Sequence, residues 1–207
     1  MLQIGWDKMQ NLEASKITRL RINELQQVLH SLALTCESQI MQASTMLGRA
    51  ISAGNKILIC GNGGSAADSQ HFATELVSSF SRDISRAAIS AIALTTDTSV
   101  LTAYSNDFTF EKVFERQVQA HGRLGDVLIL ITTSGSSVNC ILAAQEAKKL
   151  SMNTIALTRS AAEISNHVDV AIEVPSENTQ HIQECHMVIY HIIAELLEKS
   201  LPERFCL

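Results

Sequence analysis

Positive charge is sparse in this sequence and never bunched. Sixteen lysines and arginines stand against 21 aspartates and glutamates, a net charge of −5, and no basic block interrupts that balance. A broad basic surface for nucleic acid is therefore not expected, although a protein partner is left open. The five cysteines (Cys36, Cys60, Cys140, Cys185 and Cys206) are odd in number and widely spaced, with no CxxC pair. That pattern argues against a disulfide framework and against a zinc knuckle. No apolar run approaches the roughly eighteen residues of a membrane helix. Residues 1–10 show no basic region followed by an apolar core, so no signal peptide is expected. Together these absences point to a cytoplasmic protein with no membrane partner. Charged residues make up only 18% of the chain and hydrophobic ones 46%, a well-packed composition and not a disordered one. A chain of 207 residues suits one domain with some helical additions.

What the chain does contain is an alternation of short apolar runs and helical patterns. Residues 1–13 read as irregular, and residues 14–54 as helices that precede the first strand. Ile22, Leu25, Leu29 and Leu32 recur at three- and four-residue steps, and Ile40, Ala43, Met46, Leu47 and Ile51 mark a second helix that Gly54 closes. These apolar faces need a surface, either a second subunit, the favoured reading, or the chain's own sheet. Strands are predicted over 56–60, 87–94, 126–131, 153–157 and 168–174. Helices are predicted over 66–80, 111–121, 138–150 and 179–199, with a short one after an N-cap at 95–98 that runs through Tyr104. Asn106 and Asp107 fall in the next turn. Buried strands alternating with helices argue a single α/β domain over 55–200, with a parallel sheet and helices on both faces.

Two loops carry the chemistry. The first strand ends in Gly61-Asn62-Gly63-Gly64-Ser65 and opens onto a helix, whose free N–H groups suit an anion. It completes neither GxGxxG nor a P-loop, so a tight turn around a small ligand is the better reading. The third strand ends in Thr132-Thr133-Ser134-Gly135-Ser136-Ser137, five hydroxyl side chains and one glycine. An ordinary N-cap uses one or two such residues, whereas this set can surround a phosphate with O–H and N–H donors. Both loops fall at the carboxyl ends of strands, where parallel sheets bind ligands.

His71 and Glu75 are four apart on the helix after the first loop, hence on one face. Such a pair can hold a divalent metal, can supply a base, or can be a plain surface pair. The last helix sets Gln183, Glu184, His186 and His191 among apolar residues, and buried polar groups need partners. Gln183 and His191, about 80° apart around the helix, can reach one site. His71, Glu75, Gln183 and His191 then form a mixed nitrogen and oxygen donor set for zinc or a similar ion. His181 and His186 are either part of the same site or simply surface or packing residues.

At these residues the chain resembles the phosphoheptose isomerases, a family of sugar-isomerase (SIS) domain proteins. The resemblance rests on residues 60–76, 93–97, 106–108, 133–137 and 182–186 with His191, in family order. It implies a flavodoxin-like SIS domain with a five-stranded parallel sheet, a homotetramer with sites at subunit interfaces, and a bound zinc ion. It also implies interconversion of sedoheptulose 7-phosphate and D-glycero-D-manno-heptose 7-phosphate, for the heptose of surface polysaccharides. By matching position, His71, Glu75, Gln183 and His191 are the implied metal ligands. Asn62, Gly63, Gly64, Glu75, Asn106, Asp107, Thr132, Thr133, Ser134, Ser137 and Gln183 are the implied substrate contacts. Moving a carbonyl between C1 and C2 needs a base and an acid, for which Glu75 and His191 are suitable types.

The sequence departs from the family pattern at three places. Ser78-Ser79-Phe80 replaces a Gly-Arg-aromatic stretch, with Arg82 or Arg86 as candidate substitutes. His181 replaces an arginine, and Arg159-Ser160-Ala161-Ala162 replaces a glycine-rich stretch. Each touches the expected rim of the site. The rival reading is a non-catalytic SIS tetramer that binds a replication initiator or senses a phosphosugar.

Overall fold

The structure is a computed structural model that describes residues 11–201, with side chains from Glu13 onward. Residues 1–10, expected to be irregular, and Cys206 lie outside the described residues. Five strands form one all-parallel sheet: β1 (Ile57–Gly61), β2 (Ala91–Ala93), β3 (Val127–Ile131), β4 (Asn153–Arg159) and β5 (Val170–Val174). Their order across the sheet is β2-β1-β3-β4-β5, so the α/β class and the parallel sheet match the expectation.

The continuous apolar runs of β1 and β3 are buried at every position, as parallel strands covered on both sides must be. Alternation sends Ile57, Ile59, Ile129 and Ile155 to one face and Leu58, Cys60, Leu128 and Ala156 to the other. On the first face lie α2 (Glu37–Ser52), α3 (Gly64–Val77) and α7 (Thr179–Ser200), through Ala43, Leu47, Phe72, Leu76, Ile189 and Ile193. On the second lie α5 (Val113–His121) and α6 (Val138–Lys149), through Phe114, Val118, Cys140 and Ala144. Fully burying one such leucine or isoleucine contributes about 1.5–3 kcal/mol.

Three expectations change. The second strand is three residues long, not eight, because Ile89 donates its N–H to Leu76 of α3 and so leaves the sheet. The helix after Asp97, α4, runs to Asp107, so Asn106 and Asp107 end that helix and do not form a turn after it. The N-terminal helices differ in how far they pack on the chain's own core. Helix α1 spans Asn11–Thr35, taking in residues 11–13, and only its second half joins the core, through Leu32. Helix α2 packs within the chain, against α7 and β5, with Ile40, Ala43, Leu47, Ala50 and Ile51 buried. Ile17, Leu20 and Ile22 of α1 stay about half exposed.

Candidate active site

From β1 the chain moves outward to β2 on one side, and β3 lies on the other. The loops leaving β1 and β3 therefore open a crevice at the point where the strand order reverses. In the first loop Gly63 takes φ 57°, the left-handed region that favours glycine, and α3 starts at the next residue. Asn62 and Asn139, in the first turn of α6, exchange amide hydrogen bonds of 2.8 and 2.9 Å. That reciprocal pair clasps the β1 loop to the β3 side. The Asn62 amide is thus engaged within the protein, while Gly63 and Gly64 stay exposed.

In the second loop three hydroxyls converge. Thr132 Oγ1 lies 3.4 Å from Ser134 Oγ and 3.1 Å from Ser137 Oγ, and the two serine oxygens are 3.4 Å apart. Gly135 and Ser136 N–H groups donate to Thr132 and Ser134. Ser137 stands at the N-cap of α6 yet makes no capping bond with its side chain. An ordinary cap would turn that hydroxyl onto the helix. Here it faces the other hydroxyls, which together form a donor cup at a positive helix end. Thr133 is half-buried beside this triangle and outside it.

A second cluster lies where α3 crosses α7. Donor atoms of His71, Glu75 and His191 all fall within 4.8 Å of one another. His71 Nε2 is 3.0 Å from Glu75 Oε1, and its Nδ1 is 2.9 Å from the Tyr190 hydroxyl. The His71 and His191 rings meet edge to face at 5.1 Å, and Phe80 closes the far side of His191 at 5.7 Å. Burial and then the charge on His71 hold the His191 imidazole below its ordinary pKa, against the pull of Glu75. Burial, Asp68 and Glu75 raise the Tyr190 hydroxyl above the usual tyrosine range. Two imidazoles and a carboxylate at this spacing are a donor set that fits a divalent ion such as zinc. They are equally a pair of proton carriers beside a fixed carboxylate.

Gln183, expected with this cluster, points one turn nearer the first loop. Its Nε2 donates to Asp68 Oδ2 at 3.1 Å, and its amide fills the space a side chain at Gly64 would need. Burial raises the Asp68 carboxyl, while the Gln183 bond and His71 act the other way. Asn106 and Asp107 are exposed and bonded to each other at 2.9 Å, outside the cluster. Sequence reasoning missed Asp68, Asn139 and Tyr190. The available signal was polarity in the wrong place, namely an aspartate, an asparagine and a tyrosine on otherwise apolar helix faces.

The departures from the family pattern resolve differently from expectation. Arg86 is buried against Glu198, so it does not replace an arginine on the rim, while Arg82 is exposed. His181 is buried and bridges α7 to α1, with Glu184 at 2.8 Å and Glu24 at 3.4 Å. It is a packing residue, as is His186, which is fully buried. Arg159 donates to the Ser134 carbonyl at 3.1 Å and pairs with Glu177, so it braces the hydroxyl loop directly. A groove of about 1030 Å³ along α2 lies at the opposite, amino ends of the strands and carries no histidine.

A doubly wound parallel sheet with a hydroxyl cup at its switch point is consistent in architecture with a SIS domain, and the SIS-domain family model matches residues 22–159. The phosphoheptose isomerase of Roseiflexus sp. (strain RS-1) is 44% identical over 197 residues, covering 93% of this chain and 99% of that protein. That of Clostridium acetobutylicum is 49% identical over 164 residues, covering 79% and 83%. The solved phosphoheptose isomerase of Neisseria gonorrhoeae superposes with a TM-score of 0.85 at 37% identity, over 90% of this chain and all of that one. The chain belongs to the phosphoheptose isomerase family, and it is an isomerase.

Proposed function

We propose that this isomerase interconverts sedoheptulose 7-phosphate and D-glycero-D-manno-heptose 7-phosphate through an enediol, for the heptose of surface polysaccharides. The observation that carries this reading is the convergence of His71, Glu75 and His191 within 4.8 Å on α3 and α7. The cup of Thr132, Ser134 and Ser137, with Thr133 beside it, holds the phosphate.

Glu75 Oε1 faces His71, which leaves Oε2 to take a proton from C1 of the ketose and return it at C2. The C1 hydroxyl proton moves to the C2 oxygen in the same exchange. His191, held neutral by burial, presents its ring N–H to those oxygens. Tyr190 fixes the His71 ring and thereby the Glu75 carboxylate. Gly63, Gly64, Asn62 and Gln183 shape the middle of the sugar site. Zinc would be held by His71, Glu75 and His191, with Gln183 completing the set after leaving Asp68. When bound, the ion supplies polarisation of the carbonyl and stabilisation of negative charge on oxygen.

We read the active assembly as a homotetramer with sites at subunit interfaces. Val188, Ile192 and Leu196 form an exposed apolar stripe on α7 beside His191, which supports this reading. Exposed Asn106 and Asp107 are then available to a neighbouring copy's sugar. Residues 14–54 serve as a helical cover, and 55–200 as the domain that carries the site. Among the described residues no helix is long and apolar enough to cross a membrane. A phosphosugar substrate supports a cytoplasmic location. The rival initiator-binding or sensor reading is not favoured, because the named relatives are isomerases and all three titratable groups meet here.

A screen of five- to seven-carbon ketose phosphates for aldose formation tests the reading. The seven-carbon substrate is expected to turn over fastest, and absence of turnover on all of them would refute it. Elemental analysis of the purified protein tests the ion, with one zinc per chain expected.

A further inference from the structure

Behind the Glu75–His191 cluster sits an ion pair that the proposed reaction does not use. Arg86 Nε donates to Glu198 Oε1 at 2.9 Å, and both side chains are 2% exposed. A buried ion pair adds little net stability over apolar residues of the same shape. Its bonds therefore call for a reason other than stability, and they converge on the two proton carriers.

The remaining Arg86 donors go to backbone. Nη2 donates to the carbonyl of Glu75 itself at 2.7 Å, and Nη1 to the carbonyl of Leu76 at 2.8 Å. Those carbonyls belong to the last turn of α3, where helical acceptors lack partners and a cation is favoured. Glu198 in turn accepts from the N–H groups of Phe80 and Ser81, at 2.7 and 3.0 Å. Phe80 is the residue whose ring rests 5.7 Å from that of His191. Glu198 also follows His191 by seven residues, two turns along nearly the same side of α7. One arm of the pair thus holds the Glu75 backbone, and the other sets the ring against His191.

We propose that Arg86 and Glu198 are positioning residues for the isomerisation, a strut that fixes Glu75 on α3 relative to His191 on α7. The proposal rests on the reading that Glu75 and His191 move the protons. Neither Arg86 nor Glu198 bonds to the hydroxyl cup, which is built on β3 and α6. Loss of the strut should accordingly slow turnover and leave phosphate binding alone.

The test replaces the pair as a unit, Arg86→Met with Glu198→Leu, so that no lone charge is left buried. Melting temperature, kcat and KM are then measured on the seven-carbon ketose phosphate. The expected result is a melting temperature close to the parent's and KM within about threefold. With it kcat should fall about 100-fold, the scale of a misplacement near 1 Å. A second variant, Phe80→Leu, leaves both charges in place and removes only the ring on His191. It should lose about tenfold in kcat, again with KM retained. A folded double variant with the parental kcat, or a loss confined to KM, overturns the proposal. If the double variant does not fold, Phe80→Leu decides, and its parental kcat overturns the proposal. A parent that turns over no ketose phosphate, or an active Glu75→Gln, refutes the functional reading instead of the strut.

Discussion

Single residues carry the site's tolerances. Gly64 has no side chain because the Gln183 amide occupies that space. A methyl group in Gly64→Ala meets the flexible end of Gln183 and swings it off Asp68, without disturbing backbone. The expected outcome is a change in stability below about 1 kcal/mol, with kcat reduced about tenfold or more. A thermal melt and a rate measurement on the same preparation check both. The sequence made His71, Glu75 and His191 legible, because helix spacing alone places two of them on one face. It could not show that Gln183 would turn to Asp68, since a glutamine's reach is decided by what lies across the gap. Nor could it show that Arg86 would be buried, because nothing near it in sequence reveals Glu198, which is 112 residues away.

Elements set where those residues stand. The β3–α6 loop is pressed onto the end of β4, so Gly135 has both φ 68° and no room for a methyl group against Ala162. In Gly135→Ala the left-handed backbone costs about 1–3 kcal/mol on its own, and the overlap displaces the cup. KM for the phosphosugar is expected to rise at least tenfold, with any zinc content unchanged, as read by kinetics and elemental analysis. The strands were readable at β1 and β3 because buried parallel strands are unbroken apolar runs, and at β4 and β5 from shorter apolar stretches. The edge strand β2 was not, since residues 87–90 continue its apolar pattern although Ile89 bonds to Leu76 of α3. The end of α4 was misplaced for a related reason. Asn106 and Asp107 look like turn residues, but Phe108 still donates to Tyr104 and closes another helical turn.

At the scale of the whole molecule, stability and catalysis share α7. His186 of that helix is fully buried, with no hydrogen-bond partner for either ring nitrogen among the described residues. Burial pushes its imidazole down to about 4, and the Thr158 backbone, close by but outside hydrogen-bonding geometry, offsets this only in part. The unfolded chain therefore binds a proton near pH 6.5 that the folded chain refuses until about pH 4. Stability is full above pH 6.5 and is lost as pH falls towards 4, by on the order of 3 kcal/mol. Denaturant titrations between pH 4 and 8 should show that acid limb in the parent and a flatter one in His186→Leu. His181, raised by Glu184 and then Glu24, contributes with the opposite sign in both proteins and cancels from the comparison. The order of the sheet was not legible in the sequence, because strand patterns do not say which neighbours pair.

The central claim is that Glu75, held by His71 at the crossing of α3 and α7, is the base of a ketose–aldose isomerisation. The most direct measurement follows aldose formation from sedoheptulose 7-phosphate by the parent and by Glu75→Gln, with phosphosugar binding read by calorimetry on both. The account predicts turnover by the parent alone, about 10²- to 10⁴-fold above the variant, with binding retained by each. Equal rates in the two proteins would contradict it.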